Sequence, residues 1–195
     1  MSTISSRTLR LTLVRHGESS WNLSRLVQGQ DDRAQLTDEG KAQARRVVET
    51  LQEHTFQHVF TSDLVRARQT ATIISDALHL SLEIDPLLRE RSFGMFEGGP
   101  LSNLTADVTG IAKGVVENPD ARPAGGESFR DVVRRAAFFL ERVGDEPSSS
   151  ELLIVTHGGT IRALRAYCSG AALEGLTWDP VGNCSIWSVE VAVSN

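Results

Sequence analysis

The hexapeptide Glu151-Leu152-Leu153-Ile154-Val155-Thr156 constrains this chain most, because four consecutive large apolar residues without polar alternation belong to a strand covered on both faces. Such strands occur in parallel sheets sandwiched between helices. This one runs straight into His157-Gly158-Gly159. A second run, Leu9-Arg10-Leu11-Thr12-Leu13-Val14, alternates and ends in Arg15-His16-Gly17-Glu18. Two histidines therefore leave the sheet at strand exits. Open α/β sheets bind their ligands in the crevice beyond the carboxyl ends of the strands. An arginine and glycines beside each imidazole suit an anion such as phosphate.

The remaining periodicities alternate between the two classes of element. Ala44, Val47, Val48 and Leu51 share one helical face behind Thr37 as N-cap, which predicts a helix over 38–53. Residues 57–61 read as a strand, and Leu64, Ala67, Ala71, Ile74 and Leu78 stripe the helix that follows. Phe129, Val132, Val133, Ala136, Leu140 and Val143 form a third stripe capped by Ser128, and residues 144–150 close it. Ile161, Leu164 and Cys168 pattern a helix after His157, and residues 185–191 alternate as a half-exposed strand at a sheet edge. The expectation is a three-layer α/β/α fold with a mostly parallel central sheet, residues 1–195 forming a single domain. Residues 99–126 have weak periodicity and several Gly and Pro, and read as a lid-like insertion over the site.

Composition narrows the function classes. With 195 residues, 40% of them hydrophobic, the chain can bury about two thirds of its unfolded surface. A formal charge of -5 and the absence of any Lys/Arg run argue against a nucleic-acid partner, so an anion site must be a local positive cluster on an acidic body. Neither a signal peptide at residues 1–10 nor an 18-residue apolar run is evident, so no membrane partner is expected. Cys168 and Cys184 are too few and too loosely spaced for a zinc site or a disulfide framework and imply a reducing compartment, which gives a cytoplasmic expectation. His54 and His58 are four apart, but the helix breaks between them, and no carboxylate cluster resembles a metal cage. His79 reads as a helix-end residue.

Arg66 lies in the string Ser62-Asp63-Leu64-Val65-Arg66-Ala67-Arg68-Gln69-Thr70-Ala71, at the start of a helix and off its apolar stripe. Most such arginines are solvated, yet one beside a strand exit can turn its fork toward the crevice and bind phosphate oxygens. Glu90 lies in Leu88-Arg89-Glu90-Arg91-Ser92-Phe93-Gly94-Met95-Phe96-Glu97-Gly98, where a surface ion pair is the ordinary role. These two strings, together with Arg15-His16-Gly17-Glu18 plus Trp21-Asn22, then Gln28-Gly29, and finally His157-Gly158-Gly159, make five motifs in order. In that order the chain resembles the histidine phosphatase superfamily, which includes cofactor-dependent phosphoglycerate mutases and many small phosphatases. The resemblance spans nearly the whole chain, from Leu9 to Val191.

The resemblance implies a role for each matching position. His16 corresponds to the nucleophile that becomes a phosphohistidine. Arg15, Arg66 and His157 correspond to the clamp on the phosphoryl oxygens, completed by Asn22 and the backbone near Gln28, Gly29 and Gly158. Glu90 corresponds to the general acid, with Glu97 and Glu18 as alternatives nearby and Glu18 better suited to bracing an arginine or a loop. The physics agrees with these roles. One guanidinium about 4 Å from a negative charge contributes roughly 4 kcal/mol at an effective dielectric of 20. Arginines can thus take the place of a metal in phosphoryl transfer, and no metal or cofactor is expected.

A mutase needs extra positive charge to hold a second anionic group. The mutase pattern carries a Lys after the Glu motif and an Arg pair in the insertion, whereas Gly98 is followed here by Gly99-Pro100, and Lys113 is the lone cation up to Asn118. The expected function is therefore hydrolysis of a small phosphorylated metabolite, a phosphomonoester. A cofactor-dependent phosphoglycerate mutase is the alternative, and a non-catalytic phospholigand-binding module a more remote one. An edge strand carrying Ile186 and Trp187 offers a contact for a homodimer.

Overall fold

A computed structural model describes residues 6–144 and 151–194. Its main sheet takes, in spatial order, Ser81–Ile84 (β3), His58–Thr61 (β2), Glu151–Thr156 (β6), Ser6–Arg15 (β1) and Ile186–Ser194 (β7). The first four run parallel, and β7 pairs antiparallel to β1 at the edge. After the short helix Ser20–Leu23 (α1), helices Asp38–Leu51 (α2) and Val65–Leu78 (α3) cover one face. Phe129–Gly144 (α5) and Gly158–Ser169 (α6) cover the other.

The unbroken apolar run of β6 follows from this layering. Leu152 and Ile154 pack with Phe129, Phe139 and Leu164, while Leu153 and Val155 pack with Val47, Val59 and Ile74. Each of the four apolar positions of the strand meets a hydrophobic layer. The predicted caps are present: Thr37 accepts from the Gly40 N–H, and Ser128 and Asp131 exchange backbone-to-side-chain hydrogen bonds at 2.8 and 3.2 Å. Helix α2 ends at Leu51 rather than residue 53, with Gln52 as C-cap. His79 caps α3 in a left-handed conformation. Of the helix end predicted over 144–150 only Gly144, the last residue of α5, is among the described residues, and residues 1–5 of the stretch read for a leader lie outside them. No helix among the described residues is long and apolar enough to cross a membrane.

Two parts differ from the sequence expectation. Strand β3 has largely exposed side chains and sits at the open edge beside β2, so no alternation marks it. The segment 99–126 carries more regular structure than its periodicity suggests: helix Ala106–Thr109 (α4) and the paired strands Ile111–Ala112 (β4) and Val115–Val116 (β5). It is sewn to remote loops by backbone hydrogen bonds. Val116 N–H donates to Leu176 O (2.9 Å), Trp178 N–H to Gly114 O (2.7 Å) and Leu101 N–H to Arg25 O (2.9 Å). Arg91, fully buried, adds three bonds to the carbonyls of Thr109, Ala121 and Glu127. Such pairings depend on backbone groups and leave no periodic trace in the side chains.

Candidate active site

Strands β1 and β6 end side by side, and the His16 N–H donates to Thr156 O at 2.9 Å, so both histidine loops start from one point. The His16 ring is fully buried, with Nδ1 2.8 Å from Gly17 O. A carbonyl only accepts, so this geometry assigns the hydrogen to Nδ1 and leaves the Nε2 lone pair free. The His157 ring centroid lies 5.2 Å from that of His16, and its Nε2 lies 2.7 Å from Ser62 Oγ. Burial holds both imidazoles well below the usual histidine pKa, and the positive charge of Arg66 adds to the effect. Both are neutral at physiological pH.

Two guanidinium groups stand over this pair. Arg66, fully buried on the first turn of α3, donates to Gly29 O (2.7 Å) and Asp31 O (3.0 Å). Arg15 donates to Val181 O at 2.6 Å. The Nε of each is buried without a partner among the described residues. Desolvation pulls the Arg66 pKa down to about 10, opposed by the Glu90 carboxylate, so it keeps its charge. The cost of burying these cations is met by carbonyls that brace them from behind, as an anion site requires.

Glu90 is held between two backbone donors: Arg91 N–H to Oε1 (2.8 Å) and Gly159 N–H, in the first turn of α6, to Oε2 (3.0 Å). A Cβ at Gly159 would stand 2.3 Å from Oε1, so only glycine admits the carboxylate there. The loop bearing Glu90 is pinned by Thr156 Oγ1 to Leu88 O, by Thr160 Oγ1 to Arg89 O, both 2.6 Å, and by Arg135 Nη1 to Leu87 O and Arg89 O. Gly29 adopts φ 49°, and its carbonyl faces Arg66. Asn22 Oδ1 caps α1 through Ser19 N–H (3.1 Å), and Gln28 Oε1 accepts from Ser19 Oγ (2.8 Å).

Eight of the nine residues singled out from the sequence line one cavity of about 370 Å³: Arg15, His16, Asn22, Gln28, Gly29, Arg66, Glu90 and Gly158. His157, the ninth, is fully buried beside His16 and does not reach the cavity wall. A larger cavity of about 460 Å³ between α6 and β7 contains neither histidine nor Glu90, so its size is no guide to the chemistry. Glu97 is not at the site; it accepts from the N–H groups of Gln30 (3.0 Å) and Phe93 (2.8 Å) and shapes the loop. Glu18 accepts from Thr37 Oγ1 (2.8 Å) and braces the start of α2, not an arginine. His54 contacts Glu151, and His58 contacts Ser81 and Glu83. Among the described residues no three His, Cys, Asp or Glu side chains gather as a metal site.

Several contributors escaped the sequence reading. Ser62 contacts His157, Asn183 Nδ2 donates to His16 O (3.0 Å), and Arg162 lines the cavity. Arg162 had a readable signal, since it stands four residues after Gly158 and thus one helical turn along the same face. Ser62 and Asn183 had none, because their partners are 95 and 167 residues away.

The chain is 37% identical over 183 residues to a probable phosphoglycerate mutase GpmB of Erwinia tasmaniensis, covering 93% of this chain and 85% of that one. Among solved structures it is similar to a mycobacterial glucosyl-3-phosphoglycerate phosphatase in complex with VO3 (TM-score 0.79, 29% identity, 96% of this chain and 97% of that one). A putative alpha-ribazole-5'-P phosphatase from Escherichia coli gives a TM-score of 0.80 at 26% identity, covering 96% and 94%. The model of the histidine phosphatase superfamily (branch 1) matches residues 11–194, so the chain belongs to that superfamily.

Proposed function

We propose that the chain hydrolyses a small phosphomonoester by double displacement at His16. The observation that carries this reading is the His16 Nδ1 contact with Gly17 O, which leaves Nε2 as a free, neutral nucleophile in a cavity ringed by carbonyl-braced guanidinium groups. In the first step Nε2 forms a bond to phosphorus while the ester P–O bond breaks, and Glu90 gives its proton to the departing oxygen. In the second, water attacks the phosphohistidine, its proton passes to the Glu90 carboxylate, and the P–N bond breaks to release phosphate. Arg15, Arg66 and His157, whose Nδ1 is buried without a partner among the described residues, act together as the clamp that offsets the charge on the transferring group. In this reading the guanidinium groups supply the charge that a metal supplies elsewhere, so turnover needs no metal.

Residues 99–126 act as a lid-like wall of the single domain and give the cavity Leu101 and Leu104, two apolar side chains. That supports hydrolysis over the mutase reading, which the name of the Erwinia relative favours. The half-buried free thiols Cys168 and Cys184 suit a cytoplasmic enzyme, and the edge strand β7 suits a homodimer. The deciding experiment is incubation with p-nitrophenyl phosphate in excess chelator. Many turnovers of nitrophenol are expected, with an acid-labile, base-stable phosphoenzyme trapped on alkaline quench. Absence of turnover, or dependence on added metal, overturns the reading. Conversion of 3-phosphoglycerate to 2-phosphoglycerate with catalytic bisphosphoglycerate, faster than phosphate release, would establish the mutase instead.

A further inference from the structure

Glu90 lines the cavity, but its main chain is gripped from outside it. The Glu90 carbonyl accepts from Gln30 Nε2 (3.0 Å) and from Arg135 Nη2 (3.3 Å). Both donors are held by one carboxylate, that of Glu127, which directly follows the insertion. Arg135 reaches it through Nε (2.9 Å) and Nη2 (3.0 Å), Gln30 through Nε2 (3.2 Å), and the Ser92 N–H adds a fourth bond (2.9 Å). The Glu127 main chain closes the arrangement: its N–H donates to Ser92 O (2.9 Å), and its carbonyl accepts from Arg91 Nε (2.8 Å). Arg91 is also the residue whose N–H holds Glu90 Oε1.

None of Gln30, Glu127 and Arg135 lines the cavity. The chemistry of the bonds fixes their orientation. A carbonyl and a carboxylate only accept, so Gln30 must present Nε2 to both. Arg135 and Glu127 leave 14% and 21% of their side chains exposed, so solvent screens the pair little. Arg135 meets the carboxylate with two nitrogens and also donates Nη1 to the Leu87 and Arg89 carbonyls, a set of angles an ammonium group does not reproduce. A general acid works only with its carboxyl within hydrogen-bond reach of the departing oxygen, and an ångström of misplacement can cost about 10²-fold.

We infer that Glu127 is a positioning residue for the proton transfer: through Arg135 and Gln30 it sets where the Glu90 carboxyl stands, without itself meeting the substrate. This rests on the phosphomonoesterase reading, with Glu90 as the acid. In Glu127→Gln either orientation of the amide turns its NH2 toward a donor, because both carboxylate oxygens now accept. The hold on the Glu90 carbonyl loosens, while Arg15, Arg66 and His157 keep their own partners.

The test compares kcat/KM for benzyl phosphate and p-nitrophenyl phosphate, two esters that share a ring and differ in how much the leaving oxygen needs a proton. The ratio within one preparation does not depend on how much enzyme is correctly folded. Glu127→Gln should lower the benzyl-to-nitrophenyl ratio by about tenfold or more. Glu127→Asp, which keeps the charge, should restore part of it, and Gln30→Leu should lower it by a smaller factor. In a Glu90→Gln background, Glu127→Gln should change the ratio no further, since the group it positions is gone. A wild-type ratio in Glu127→Gln, meaning equal losses on both esters, overturns the inference, as does a fall that adds in full to that of Glu90→Gln. Should Glu127→Gln not fold, Gln30→Leu decides by the same criteria. Failure of the underlying reading looks different: the wild type releases phosphate from neither ester, or Glu90→Gln itself leaves the ratio unchanged.

Discussion

At and beneath the floor of the cavity His16, His157 and Arg66 are fully buried, each fixed by a neighbour two to three ångströms away, whereas at the rim Arg25 is exposed, its side chain without a partner among the described residues, and Leu101 leaves 47% of its surface open. The floor is made where strands β1, β2 and β6 end, so its geometry is inherited from the sheet. The rim is made by loops distant in sequence, residues 25–27 and 99–101, which pair with each other through their backbones. In the proposed mechanism the floor carries the reaction and the rim selects the substrate. A preformed floor also avoids reorganisation during the chemical step.

Substitutions can break this division, the severest first. His16→Ala removes the proposed nucleophile and should lower p-nitrophenyl phosphate turnover by about a thousandfold or more. A variant that retains native circular dichroism and wild-type turnover refutes the covalent route. Glu90→Gln should slow alkyl phosphates by about 10²–10⁴, and nitrophenyl phosphate by less than about tenfold, because its leaving group hardly needs a proton. Equal losses on the two substrates remove Glu90 as the acid.

The floor has a further signature in stability. His16 and His157 are held neutral well below the usual pKa, so below about pH 6.5 the unfolded chain takes up protons that the folded chain refuses. Folded pKa values depressed in this way mean stability present above pH 6.5 and lost as pH falls. For two such groups the slope reaches about 2.7 kcal/mol per pH unit. Urea unfolding at pH 7.5, 6.5 and 5.5 should show it, and His157→Gln should roughly halve it. A flat profile contradicts the buried neutral pair. The smallest effect belongs to the rim: Leu104→Ala should change turnover of nitrophenyl phosphate by less than about threefold while reordering preference among larger esters, since it removes skeleton contacts and no charge. A loss comparable to that of Glu90→Gln would erase the distinction between floor and rim.

The same division explains what the sequence reveals. Strand β6 announces itself because both its faces are covered, and α2, α3 and α5 because one face is apolar. His16, His157 and Arg66 are readable because strand ends and helix starts put them there. Arg66 still surprises in its depth: lying off the apolar stripe of α3 should expose it, but the carbonyls of Gly29 and Asp31 fold over it. The edge strand β3, the two-residue strands β4 and β5, and the contacts of Ser62 and Asn183 are invisible because they rest on partners distant in sequence and on backbone groups that every residue has. Belonging to the superfamily was legible through five short motifs, and the leaving-group side of the pocket was not.

The stitching of β5 and its turn to residues 175–178 has a practical consequence for engineering. A graft that swaps the 99–126 piece from a homologue while keeping the recipient's tail would strand unpaired amides on both sides of the seam. Transplants should therefore carry the two stretches together as one cassette.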